Sequence, residues 1–158
     1  MNELHSTHRR NYTAKTTFGL LLAVVMIAAF ATAGSASPPS GGQLHITKEC
    51  HEFSGQPGGF CTITSSNVPG IAADMHVVYT DPTVVGHNLR SHLYIEGSDG
   101  NPYGYVVLHL PPDPTAWSGR LTFSGGTGSF SGFHATVFVD CRPSGSPCTW
   151  DGTYNFTP

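Results

Sequence analysis

The sequence predicts an all-β domain, built as an eight-stranded antiparallel up-and-down β-barrel. Three observations carry that expectation. Beyond residue 42 apolar residues never recur at helical spacing, and Gly or Pro interrupts the chain every dozen residues or so. Short alternating or β-branched stretches fill the intervals. Turn chemistry then joins them at hairpin length: Pro69-Gly70, Asp81-Pro82, Ser98 to Pro102, Pro111 to Pro114, and Gly125-Gly126-Thr127-Gly128. A β-sandwich is the alternative architecture.

Residues 1–36 read as an export signal. Arg9, Arg10 and Lys15 precede an uncharged apolar run, Phe18 to Phe30, and small residues follow up to Ala36. The run, about 13 residues, is short of the ~20 that a membrane-spanning helix needs. Residues 37–42 are a flexible lead-in, and 43–158 form one barrel domain. The expected location is outside the cytoplasm, secreted or periplasmic, with no membrane attachment after signal cleavage.

Strands are expected near 43–47, 59–66, 75–80, 87–96, 103–110, 118–124, 133–140 and 149–156. Their alternation assigns faces. Phe133, Ala135, Val137 and Val139 share one apolar face, opposite His134, Thr136 and Asp140. Met75, Val77 and Tyr79, then Leu89, Leu93 and Ile95, then Trp150, Tyr154 and Phe156 make the corresponding inward sets. On 103–110 the Val106, Leu108, Leu110 face is the more apolar, which turns Tyr103, Tyr105 and His109 outward, where Tyr105 is a candidate subunit contact in a homo-oligomer.

All four cysteines, Cys50, Cys61, Cys141 and Cys148, fall after the signal, where an oxidising compartment favours disulfides. Three pairings are open. Cys50–Cys61 with Cys141–Cys148 is preferred because each pair brackets a turn-rich segment. Closing such short loops is worth roughly 2–3 kcal/mol per bond. No CxxC spacing suggests zinc.

After residue 36, Lys48, Arg90, Arg120 and Arg142 face nine acidic residues, and no basic cluster exists. That balance argues against nucleic acid and anionic membranes as partners. Charged residues make up 11% of the chain, against roughly 25% in ordinary domains, so solubility rests on Ser, Thr, Asn, Gly and His. Seven histidines (His45, His51, His76, His87, His92, His109, His134) show no HxH or HxxxH spacing, and the expected reading is scattered surface residues rather than metal ligands. Gly126-Thr127-Gly128 lacks the spacing and following helix of a phosphate cradle, and no GxSxG elbow is present. No cofactor and no catalytic residue are expected.

A barrel of eight strands is either filled by its side chains or holds one small ligand. Tyr79, His87, Ser91, Trp150 and Tyr154 are the candidate lumen residues, aromatic walls with polar handles for a small apolar or aromatic ligand. The competing reading is that the aromatics plug the core.

Leu121 to Phe133, with its Gly-Gly-Thr-Gly turn, resembles the glycine-rich strand–turn–strand of the allene oxide cyclase and dirigent barrel superfamily. Phe60 to Gly70 and Trp150-Asp-Gly-Thr-Tyr154 are similar to bacterial secreted proteins assigned the same barrel. The resemblance implies an eight-stranded antiparallel barrel, trimeric in many plant members. Gly125, Gly126 and Gly128 are expected to take positive φ in the turn, and Gly132 to allow a bend. The plant enzymes' catalytic residues and the dirigent charged dyads have no matched positions here. Three functions follow as expectations: a ligand-binding barrel without catalysis, a cyclase or dirigent-type enzyme or stereochemistry-directing protein, and a structural or oligomeric surface protein.

Overall fold

The computed structural model describes residues 40–112, 116–142 and 147–157. The expected export signal and most of the lead-in lie outside them. Nine strands follow one another: β1 (Gly41–Glu49), β2 (Phe60–Ser66), β3 (His76–Tyr79), β4 (Thr83–Val85), β5 (Asn88–Ile95), β6 (Pro102–His109), β7 (Trp117–Gly126), β8 (Phe133–Cys141) and β9 (Cys148–Phe156). Among the described residues the only helical element is a 3₁₀ turn at Gly128–Phe130, and no helix is long and apolar enough to cross a membrane.

Eight of the strands close into an antiparallel up-and-down barrel. Each pairs with the next in sequence, β3 skips β4 to pair with β5, and β9 returns to β1. The ninth strand, β4, lies outside the closed ring and pairs only with the first residues of β5. The sequence reading contains no such strand, because Thr83-Val84-Val85 is three residues long and faces water on both sides. Its valines are among the most exposed large apolar residues described.

The handover on β5 from β4 to β3 takes place at Asp81. The Asp81 carboxylate accepts the His92 backbone N–H at 2.5 Å and lies 2.7 Å from the His92 ring Nδ1. The Ser91 hydroxyl donates to the His92 carbonyl at 2.6 Å and sits 3.3 Å from the same carboxylate. Backbone groups left over where the ladder changes partner are thereby satisfied by side chains.

β1 begins two residues earlier than expected, so the lead-in is shorter than 37–42. Gly41 and Gly42 pair with Asn155 and Tyr154. A Cβ on Gly42 would sit 3.2 Å from the Tyr154 ring, so a bare glycine lets the ring lie across the strand.

The core is the barrel interior, and strand alternation fills it as expected. Leu44, Ile46, Ile63, Val77, Leu93, Ile95, Val106, Leu121, Phe123, Phe133, Val137 and Trp150 are almost wholly buried. Each such side chain contributes roughly 1.5–3 kcal/mol by leaving water. At one end of the barrel Phe130, Phe133, Tyr154 and Phe156 pack ring against ring, with centroids 5.3–6.5 Å apart.

The glycine turn seals that end. Gly128 has φ 57°, and a Cβ on it would lie 2.0 Å from the Asp99 carbonyl oxygen of the neighbouring hairpin. Gly132 has φ 72° and meets the Thr157 carbonyl as closely. Gly126 departs from expectation. Its φ is not positive, and glycine is needed there because Phe130 folds back to within 2.5 Å of where a Cβ would be. Gly125, nearly extended, sits opposite Tyr103 where the β6–β7 register shifts.

Candidate functional site

At the opposite end the barrel is not filled. A cavity of about 280 Å³ opens there, close to the lower limit of the ~300–1,000 Å³ typical of small-molecule sites. Each barrel strand supplies one residue to its wall. In chain order they are Lys48, Cys61, Tyr79, Leu89, Leu108, Trp117, Cys141 and Cys148, with Phe53 from the β1–β2 loop. Glu49, His51 and Arg142 stand at the rim.

Two disulfides frame this end, in the preferred pairing. Cys50–Cys61 ties the exit of β1 to the start of β2, and Cys141–Cys148 ties β8 to β9. The bridges touch each other, since Cys50 Sγ lies 3.9 Å from Cys148 Sγ. Four sulfur atoms therefore stand where the other end of the barrel has aromatic rings.

Lys48 is the residue that sequence reasoning missed. It follows Leu44 and Ile46 in the inward alternation of β1, and it is 1% exposed. Its signal was present in two forms. The expected strand stopped at residue 47, and one more step of the same period places Lys48 inside. Lys48 is also the sole lysine after Lys15, so the domain commits its one lysine to the interior.

The Lys48 amine lies 3.0 Å from Cys50 Sγ and 3.3 Å from Cys61 Sγ, and 5.3 and 5.8 Å from the centres of the Trp150 and Tyr79 rings. Disulfide sulfur is a weak acceptor, and among the described residues no carboxylate pairs with the amine. Burial without a counter-charge penalises the ammonium form, and the Lys48 pKa falls to about 7. Tyr79 is buried by the same wall, and desolvation raises its phenol above the ordinary value. Its hydroxyl donates only to Cys61 Sγ, across 3.8 Å. Trp150 Nε1 is buried with no hydrogen-bond partner.

The deep part of the site thus presents two donors, the Lys48 amine and the Tyr79 hydroxyl, with sulfur as their partner. Its remaining surface is apolar, from Phe53, Leu89, Leu108 and Trp117, with Phe53 edge-on to Tyr79 at 4.8 Å. The rim charges lie near partners of opposite sign: His51 beside Glu49 at 3.6 Å, and Arg142 beside Asp140 at 3.8 Å.

Of the five lumen candidates read from the sequence, the structure brings two together here. Tyr79 is in the wall, and Trp150 lies against the Lys48 amine. Tyr154 belongs to the aromatic plug at the far end. Ser91 is buried, but its hydroxyl is spent on the His92 carbonyl and the Asp81 corner. His87 is exposed in the β4–β5 turn, its ring 6.5 Å from that of His109. Among the described residues no three His, Cys, Asp or Glu side chains are placed to hold a metal ion.

Comparison of the chain with family models, with curated proteins and with solved structures gives no match.

Proposed function

We propose that this protein is a secreted binding protein for a small apolar ligand, aromatic in the first instance, that carries a hydrogen-bond acceptor. The observation that carries the reading is the unequal filling of one barrel. Its middle and one end are packed, while the disulfide end keeps a cavity of about 280 Å³ whose inner wall carries two donors, the Lys48 amine and the Tyr79 hydroxyl, that meet only sulfur. A ligand with a carbonyl or carboxylate oxygen supplies what those donors lack, and its apolar body covers Leu89, Leu108 and Trp117. The N-terminal apolar run and the two disulfides support export to an oxidising compartment.

Native mass spectrometry of the protein from its own secretion medium tests the reading. The expected result is an added mass of small-molecule size that is lost on unfolding. A bare chain, together with no change in tryptophan fluorescence on titration with benzoate or benzyl alcohol, overturns it.

The cyclase or dirigent-type reading implied by the family resemblance keeps one specific support. Such chemistry requires an ionisable group inside the barrel, and Lys48 is one. The oligomeric reading rests on Tyr103 and Tyr105, both partly exposed on the outer face of β6. Light scattering that returns a monomer mass removes it.

A further inference from the structure

We propose that Lys48 is a nucleophilic amine that captures a small apolar aldehyde or ketone as an imine within the disulfide-end cavity. The inference rests on the reading that this cavity binds a small apolar ligand, and adds to it a covalent step and a ligand class.

The geometry is that of an amine held for chemistry rather than for charge pairing. A lysine placed for solubility or for a salt bridge extends its head to water or to a carboxylate. Lys48 does neither. Its stem follows the inward face of β1, its head ends in the cavity wall, and its near neighbours are two cross-linked sulfurs and two aromatic rings. Disulfide sulfurs can neither take its proton nor compete with it as nucleophiles. They help fix its position, because the Cys50–Cys61 bridge ties the exit of its own strand, β1, to the neighbouring β2.

Desolvation also lowers the proton affinity of Lys48, which leaves a substantial share of the amine unprotonated near neutral pH. The groups that share its surroundings are Glu49 and His51 from β1 and the loop after it, Tyr79 from β3, Trp150 from β9 and Arg142 after β8. None of them places a carboxylate on the amine among the described residues.

The step balances without an oxidant or a reductant. The Nζ lone pair attacks the carbonyl carbon, and the carbonyl oxygen takes up a proton as the nitrogen loses one. The resulting carbinolamine then expels its oxygen as one water molecule through the open mouth of the cavity, leaving the C=N bond. The Tyr79 O–H, in the cavity wall, is the nearby donor available to an oxygen that gains negative charge during the addition. The apolar wall disfavours return of water, and so hydrolysis.

The test uses the secreted protein, in which Lys48 is the one lysine, and the same protein unfolded in urea is the control for an ordinary amine. The protein is incubated with benzaldehyde and sodium cyanoborohydride at pH 7, and the sites that gain one benzyl group are mapped by peptide mass spectrometry. The expected result is labelling of Lys48 at least ~10-fold faster in the folded protein than in urea, where the amine regains the ordinary pKa. Binding of benzyl alcohol, which cannot form an imine, is followed in parallel by tryptophan fluorescence. Benzyl alcohol binding with no preferential labelling of Lys48 overturns the imine and leaves the binding pocket standing. Absence of both overturns the imine and the pocket together.

Discussion

The two ends of this barrel are built from different chemistry: one is packed with aromatic rings, and the other, framed by disulfides, opens on a cavity. At the glycine-turn end four aromatic rings pack on one another, some edge-on and some stacked, and Gly128 and Gly132 let the backbone approach closely. At the disulfide end the strands are held by covalent bonds, so the interior need not be packed to keep them together. The difference teaches where a small β-barrel has freedom. Packing end and function end are separated along one strand: Phe133 and Cys141 belong to the same β8, and Tyr154 and Cys148 to the same β9.

Four substitutions break or sharpen this contrast, from the largest expected effect to the smallest. Phe133→Ala removes the ring on which the aromatic end converges. Urea unfolding is expected to show a loss of about 3–5 kcal/mol, with ligand affinity at the far end unchanged in the fraction that remains folded. An equal loss of affinity would mean that the ends are not independent.

The double variant Cys141→Ser, Cys148→Ser opens a loop with a sequence separation of seven residues. It is expected to cost roughly 2–3 kcal/mol, and, unlike Phe133→Ala, to weaken binding as well, since both sulfurs line the cavity. A stability loss with unaltered binding would place the ligand elsewhere.

Lys48→Met is expected to stabilise the protein at pH 7, by about 1–3 kcal/mol, because it replaces a buried, poorly partnered amine with an apolar chain of similar length. The sign of the pH dependence follows from the depressed pKa. Between about pH 7 and the ordinary lysine range near 10 the unfolded chain binds the extra proton, so wild-type stability rises with pH through that window. The slope approaches 1.4 kcal/mol per pH unit in the middle of the window. Glu49, His51, Tyr79 and Arg142 share the cavity, so the decisive quantity is the difference between wild type and Lys48→Met across the series. A difference that does not change with pH would place the amine in water.

Asp81→Asn is the mildest change. The His92 ring and then the His92 backbone N–H hold the Asp81 carboxyl below its usual pKa. Its contribution is present at neutral pH and lost as pH falls through that lowered value. The carboxylate is exposed, so the effect on global stability is expected to stay under ~1 kcal/mol. Hydrogen exchange confined to β4 and the start of β5 checks it, and exchange spreading into the barrel would show that the corner holds more than the outer strand.

Most of the fold was legible because the barrel is built from one repeated rule. A strand with one face buried must alternate, and β5, β6, β8 and β9 do so without exception in their central residues. The disulfides were legible for a local reason, since each pair sits at the two ends of its own loop. β4 was not, because three exposed residues carry no alternation. Two bulges also hid from periodicity, at Thr47/Lys48 against β2 and at Tyr103/Gly104 against β7, where an extra residue enters one strand of a pair.

The site was less legible than the fold. Tyr79 and Trp150 were placed inside by period alone, but period does not say at which height along the barrel a residue lies. Tyr154 shares its face with Trp150 and ends in the plug, and Ser91 shares its face with Leu89 and ends at the Asp81 corner. Lys48 entered only the charge balance, because the expected strand ended at residue 47 and its alternation was not followed one step further.

By itself the sequence determined an all-β chain, its sequential strand order and the identity of its inward faces. These are local properties, set by two-residue alternation and by turns that neighbouring residues complete. The tertiary structure alone decided which inward residues face the same space. Closing β9 onto β1 and β3 onto β5 brings Lys48 beside Trp150, roughly a hundred residues away in sequence, and lays one disulfide against the other. That proximity comes from the curvature and register of the closed sheet, which no short window of sequence contains.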